Sequence, residues 1–331
     1  MQKIVSRQSL NTLLKTLIFL ALLLVLYRQL SVDWSKEARQ AFLLSVNWFY
    51  LLLAILLMPL NWILEALKWR QFLSVPAPLL SFRQALRAVF MGVTLALITP
   101  YRMGDYIGRV LISGAASKKQ LLLATLAGNL CQLVVLLMFG WLGTLYFAPR
   151  ALTLRLEDYK LFLILGFLGT IILLLVIINI GSLLDFALRQ RLLRRFQSSL
   201  TSLRQTLHSY DYRTFGVAFV LAAMRYGVYL TQYVLLLWFG NVAVSLPLAY
   251  AGVATVFLVQ TSIPLPPALG LLARGEIALL VWSPFSEDKL AILAASFGLF
   301  IINLGLPSLI GLGAILKINL LQSLGYEKAK H

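Results

Sequence analysis

Long apolar runs separated by short basic ones fill most of the chain. Runs at residues 10–30, 48–67, 121–147, 161–180, 214–239 and 291–316 each approach or exceed the ~20 residues that a helix needs to cross a bilayer. Two further apolar regions are shorter and interrupted by proline. Residues 84–98 span only about 22 Å at helical rise, short of the ~30 Å hydrocarbon core. Residues 246–263 run into Pro264, Pro266 and Pro267 before a second apolar arm at 268–282. Between residues 182 and 213, apolar positions recur at Leu184, Leu188, Leu192, Phe196, Leu200, Leu203 and Leu207, the period of an amphipathic helix lying on a membrane surface. The spacing of Ala38, Phe42 and Ser45 predicts a short interfacial helix within 28–45.

Composition agrees with this pattern. The chain has 331 residues, 60% of them hydrophobic, well above a soluble domain. Mean hydropathy is +0.86. The net charge of +17 sits between the apolar runs, which points to loops facing anionic lipid and away from nucleic acid. Cys131 is the single cysteine, so an intramolecular disulfide is excluded. The two histidines, His208 and His331, fall in a loop and at the end of the chain, a poor basis for a metal site. No cofactor is expected. Lys3 and Arg7 precede the first apolar run, which we read as a membrane anchor because no small-residue cleavage site follows it.

Loop charge sets the expected topology. Lys3 and Arg7, the group Lys68, Arg70, Arg83 and Arg87, the pair Lys118 and Lys119, the arginines of 189–213 and the tail lysines all favour the cytoplasm. Segments 28–46, 148–160, 240–246 and 285–289 have mixed or no charge and suit the outside. These assignments agree only if residues 84–117 enter from the cytoplasm and return, and residues 246–284 do the same from outside. The expected fold is therefore an all-α polytopic membrane protein: six full spans plus two opposed re-entrant helical hairpins. It forms one membrane domain of two inverted repeats, 1–147 and 148–331, an architecture recurrent in transporters. The alternative is eight or more complete spans. Both termini are expected in the cytoplasm, at the inner (plasma) membrane. Nothing in the pattern signals an oligomeric state.

The segment Thr99-Pro100-Tyr101-Arg102-Met103-Gly104-Asp105-Tyr106-Ile107-Gly108-Arg109 carries charge where a span should carry none. Thr99 before Pro100 reads as a helix start, and Pro266-Pro267 after Ser262 as another. Two helix N-termini near the midplane would favour an anion such as phosphate. Arg102, Asp105 and Arg109 follow a spacing that places them on one helical face. Arginine grips phosphate bidentately, and Asp105 can orient it. Gly104 and Gly108 leave the opposite edge slim for helix packing. Arg225 and Arg274 add positive charge, with Glu276 a candidate partner.

Plainer readings stand beside these. Arg102 and Asp105 form an internal ion pair as readily as a ligand site. Arg109 can snorkel to headgroups. Arg274 and Glu276, two apart, do not share a face. Asn61 and Glu65 share one, but Glu65 with Lys68 reads as an ordinary helix-end pair. Thr125, Asn129 and Gln132 form one stripe; Asn129, Gln132 and Gln232 suit interhelical hydrogen bonds as well as ligand contact.

At these residues the chain resembles the lysylphosphatidylglycerol synthase transmembrane region, a flippase-like family. The resemblance rests on Leu97 to Asp105, similar to the family's PGRxGE segment, on Arg225-Tyr226 through Gln232-Tyr233, and on Ser262 to Glu276, similar to its PxxxGxLGxRE segment. Asp105 replaces the usual Glu, Tyr101 replaces the usual Gly, and the second motif has an interrupted Gly-Arg-Glu spacing. The resemblance implies transbilayer movement of a charged lipid, and not synthase activity. The expected function is a flippase-like transporter of an anionic phospholipid, glycolipid or polyprenyl-phosphate lipid, and not an enzyme. The expected lipid contacts are Tyr101, Arg102, Asp105, Arg109, Asn129, Arg225, Gln232, Arg274 and Glu276. Two other classes remain: an integral-membrane lipid-phosphate transferase or hydrolase using Glu65, Asp105 or Glu276, and a structural partner of an envelope enzyme.

Overall fold

The computed structural model describes residues 36–73, 80–99, 102–111, 117–151, 155–190, 210–263 and 267–317, and residues 197, 201 and 204. The expected first span at 10–30, Pro100, Tyr101, Pro264 and Pro266 lie outside them, as does most of the expected surface helix beyond Arg189. Among the described residues the fold is all helix, with no strand.

The helices are α1 (Lys36–Ser45), α2 (Trp48–Leu56), α3 (Met58–Phe72), α4 (Phe82–Ile98), α5 (Gly104–Val110), α6 (Lys118–Ala151), α7 (Leu156–Ile178), α8 (Ile180–Arg189), α9 (Tyr212–Phe239), α10 (Leu246–Ser262), α11 (Pro267–Trp282), α12 (Lys289–Phe300) and α13 (Leu306–Leu316). Among the described residues, five stretches are long and apolar enough to cross a membrane: Trp48–Phe72, Lys118–Ala151, Glu157–Ile178, Tyr212–Phe239 and Lys289–Leu316. They coincide with five of the six runs read from the sequence.

Local chemistry explains where the helices start and bend. Pro59 in the first turn of α3 breaks the stretch from Trp48 at Leu57, because its ring lacks an N–H and crowds the preceding turn. Ser81 and Gln84 close α4 with a reciprocal capping box. The Asp211 side chain accepts from the Thr214 backbone N–H at 2.7 Å and caps α9. That bonding with Thr214 holds the Asp211 carboxyl below its usual range. Between α12 and α13 the chain widens into a π-helical turn, Ile301–Gly305. Pro307 is the cause: it cannot donate to the carbonyl one turn back, and the wider turn absorbs the misfit.

After α4 the chain reverses, and α5 packs back along it with backbones almost touching. A methyl at Gly104 would overlap Leu95, and one at Gly108 would overlap the Gly92 backbone. A methyl at Gly92 would come within 2.7 Å of the Asp105 carboxylate. The slim edge expected at Gly104 and Gly108 is thus the α4–α5 seam. The other face of α4 packs on α13, where Gly311 leaves no room beside Phe90 and Thr94. The Thr94 hydroxyl donates to the Ser308 carbonyl at 2.9 Å. A second seam joins α6 to α10: a Cβ at Gly143 would meet Ala254 at 2.7 Å, and Thr144 and Thr255 hydroxyls lie 3.2 Å apart. Helix α7 is the least covered of the five long stretches and exposes Leu161, Leu165, Leu168 and Ile172, a face suited to lipid.

Gly108→Ala should lower the unfolding midpoint of the detergent-solubilised protein, at a cost of about 1–3 kcal/mol for the forced backbone shift. Gly227→Ala, where nothing lies within 4 Å of the added methyl, should leave the midpoint unchanged or slightly raised. Equal effects from the two variants would refute the seam.

Candidate functional site

The centre of the bundle holds a buried ionic network built around one carboxylate. Glu65, on α3, is 2% exposed. Its Oε2 meets Lys68 Nζ at 2.7 Å and Arg225 Nη1 at 3.1 Å, and its Oε1 accepts from Arg109 Nη2 at 2.8 Å. Three cations from α3, α5 and α9 therefore converge on one acid. Arg109 also binds Asp105, with Nε donating to Oδ1 at 3.0 Å and Nη2 to Oδ2 at 3.2 Å. Asn129 on α6 donates to the same Oδ2 at 3.3 Å. The Gln132 carbonyl oxygen accepts from Lys68 at 3.2 Å and Arg225 at 3.3 Å. Rings complete the packing: Arg109 lies over Trp69, and Arg225 sits between Trp62 and Tyr229, with centroid distances of 5.2–5.4 Å.

A cavity of about 600 Å³ opens beside this network. Its lining includes Glu65, Asp105, Arg109, Asn129, Gln132 and Arg225 of the network, and also Gln260, Thr261, Arg274, Phe300 and Asn303. Arg102 also lines it, from the turn between α4 and α5. Its backbone is left-handed, φ 57°, a conformation that costs a non-glycine residue roughly 1–2 kcal/mol and concentrates at functional sites. Arg274 lies over the Phe300 ring at 5.5 Å and is repelled by the charge of Arg102. Neither arginine has a carboxylate partner among the described residues.

The structure brings several of the expected residues together and places others elsewhere. Arg102, Asp105, Arg109, Asn129, Arg225 and Arg274 all line the cavity. Arg109 does not snorkel: it is 3% exposed and paired with two acids. Arg102 and Asp105 do not form the internal ion pair, since Asp105 is held by Arg109 and Asn129 and Arg102 is exposed. The three charges do not share one helix either. Thr99 ends α4, and its hydroxyl accepts from the Gly104 N–H at 2.7 Å, so the α-helix starts at Gly104 and only Asp105 and Arg109 ride on it.

Two expected site residues sit elsewhere. Glu276 is exposed and outside the cavity lining, because two residues from Arg274 it leaves the opposite face of α11. Gln232 is fully buried between helices. It donates to the Ala54 carbonyl at 2.8 Å and accepts from Asn303 at 3.0 Å, while Asn61 donates to Asn303 at 2.6 Å. Tyr101 lies outside the described residues. The residues missed were Glu65 as a hub, Trp62 and Asn303. The signal for Glu65 was its depth: α3 runs on to Phe72, about 10 Å past Glu65, whereas a helix ending at 67 made Glu65 look terminal.

Long apolar helices around a buried charged centre define a polytopic helical membrane protein. A comparison with protein families identifies it further: residues 12–311 match the lysylphosphatidylglycerol synthase TM region, and the chain belongs to that family. A search of curated proteins finds no match. The family makes this a membrane protein of lipid metabolism or transport.

Glu65→Ala should be severely destabilising. It leaves Lys68, Arg109 and Arg225 buried around a missing acid, a loss of about 3–5 kcal/mol, read as a large fall in unfolding midpoint. Glu276→Ala should change the midpoint little, within about 0.5 kcal/mol for an exposed side chain. An unaffected Glu65→Ala protein would contradict the network.

Proposed function

We propose that this protein moves an anionic lipid across the bilayer, holding the headgroup in the central cavity while the acyl or prenyl tails stay in the membrane. The observation that carries this reading is the cavity itself: four arginines, from the α4–α5 turn, α5, α9 and α11, line one space inside an apolar bundle. Charges at that depth cost at least ~2.5–3.5 kcal/mol each on insertion scales, so a functional role is the default reading. Family membership supports a lipid substrate. The reading is of a flippase-like transporter, without covalent chemistry.

In this reading α4–α5 and α10–α11 are re-entrant hairpins. Helix α4, with 17 residues, and α10, also 17, are each about 25 Å long, short of the ~30 Å core. Six full spans then remain, the first at 10–30, with both termini on the cytoplasmic side of the inner membrane. The packing supports inverted repeats at 1–147 and 148–331. Helix α4 of the first half packs on α13, the last span of the second, and α10 of the second half packs on α6, the last span of the first. Helices α3 and α9 meet at the centre. Exchanging the halves maps these contacts onto one another. Rocking one half against the other would open the cavity to each leaflet in turn.

Two measurements test the reading. Reconstituted into liposomes, the protein should accelerate transbilayer movement of a fluorescent anionic phospholipid over protein-free vesicles. Arg274→Ala should slow it about tenfold or more, the value of one charge-assisted hydrogen bond. A rate untouched by both Arg274→Ala and Arg102→Ala would sink the site. For topology, cysteines at Arg83 and Lys119 in a Cys131→Ala background should react with an impermeant thiol reagent from the same, cytoplasmic, side. Labelling from opposite sides would replace the hairpin with complete spans.

A further inference from the structure

Resting on the lipid-transport reading of the same cavity, we infer that its headgroup ligand is a phosphomonoester or diphosphate, carrying two or three negative charges and no ammonium group.

The charge inventory leads there. Arg102, Arg109, Arg225 and Arg274 line the cavity with Glu65 and Asp105, and Lys68 pairs with Glu65 beside it; five cations against two carboxylates leave three positive charges uncompensated among the described residues. A phosphodiester headgroup with one negative charge would still leave two. A phosphomonoester carries close to two charges at neutral pH, and a diphosphate more. Such a headgroup also supplies enough oxygens for two guanidinium forks at once. Arg102 and Arg274 are suited to that grip: each lines the cavity, and neither has a carboxylate partner among the described residues.

The unused polar atoms point the same way. Trp62, Arg225 and Tyr226 line the cavity, and their Nε1, Nε and hydroxyl atoms are buried with no hydrogen-bond partner among the described residues. Trp62 is 2% and Tyr226 3% exposed, so these are built positions and not solvated surface. Two of the three can only donate, and the third can donate, which calls for an acceptor-rich ligand. The acids, by contrast, are spent. Both oxygens of Glu65 and both of Asp105 are engaged by cations, with Asn129 adding to Asp105. The aromatic box of Trp62 and Tyr229 is filled by Arg225. An ethanolamine or lysyl headgroup would bring an ammonium that no free carboxylate in the lining receives.

The test is binding selectivity in the detergent-solubilised full chain, read by tryptophan fluorescence and by shift of the unfolding midpoint. The probes are the short-chain dihexanoyl forms of phosphatidic acid, phosphatidylglycerol and phosphatidylethanolamine, lysylphosphatidylglycerol, and inorganic phosphate. Phosphatidic acid should bind about tenfold or more tighter than phosphatidylglycerol, as one further charge-assisted contact provides. The two ammonium-bearing lipids should bind weakest. Arg102→Gln and Arg274→Gln should each flatten this preference, and Arg102→Lys should keep most of it. Arg102 is exposed and outside the ion-pair network, so its variants should fold as the parent does. Equal affinity for phosphatidic acid and phosphatidylglycerol, or tighter binding of lysylphosphatidylglycerol, overturns the inference. Inorganic phosphate binding as tightly as phosphatidic acid would keep the dianion chemistry and remove its lipid source. Selective binding without transport in liposomes would remove the flippase reading alone; transport with no headgroup preference would remove this inference alone.

Discussion

One carboxylate holds the centre of this bundle together. Glu65 is buried against three cations from three helices; Arg109 shares Asp105 as well, while Lys68 and Arg225 have Glu65 as their carboxylate partner. In an apolar interior such a group must be paired, since an isolated ion costs several kcal/mol after relaxation. The network thereby sets the approach of α5 and α9 to α3. Gln132 and Asn129 extend it to α6. The close α4–α5 seam follows from the same constraint. Arg109 reaches Glu65 only because Gly104 and Gly108 let α5 lie against the backbone of α4, where Asp105 is carried beside it.

A buried ion network is a poor device for stability alone. Well-packed apolar residues of similar volume often do as well or better. The network instead keeps a cluster of positive charge open to a cavity of about 600 Å³. Nearby, the polar chain Asn61–Asn303–Gln232 makes most of its hydrogen bonds between helices, with Asn61 Oδ1 left over among the described residues. That contrast separates the two polar systems of the core. One is largely closed and structural; the other leaves Trp62, Arg225 and Tyr226 with atoms that have no partner.

Much of the architecture was legible in the sequence, for a physical reason. A helix in lipid must satisfy its own backbone and face apolar surroundings, so long apolar runs mark spans directly. Five of the six runs recur as helices, with ends shifted by a few residues. Those few residues mattered at Glu65, whose depth changes with the end of α3. Charge spacing also named residues that meet at the cavity, but it paired their charges less well. Asp105 and Arg109 were placed on one face correctly, but Arg102 was assigned to the same helix. No spacing rule reveals that the chain between Thr99 and Gly104 turns left-handed at Arg102. Partners such as Glu65 for Arg109, 44 positions apart, are set by tertiary packing and leave no local trace. Asn303 was hidden for a related reason: its position depends on the π-helical turn that Pro307 imposes.

The division of labour among the arginines follows from where the backbone puts them. Arg109 and Arg225 are anchored by Glu65 on long or tightly seamed helices, so their charges are fixed and partly spent. Arg274 rests on a ring and has no carboxylate partner among the described residues. Arg102 stands on a strained turn where the chain reverses, exposed and without an ion pair among the described residues. In the proposed reading, a ligand anion therefore finds two guanidinium groups with no carboxylate partner among the described residues, one in the turn between α4 and α5 and one on α11. In that reading, an anion bound there would relieve the repulsion between those arms and draw them together, and its release would restore the repulsion. That differential interaction is the physical requirement for a headgroup to bias one arrangement of the two arms over another.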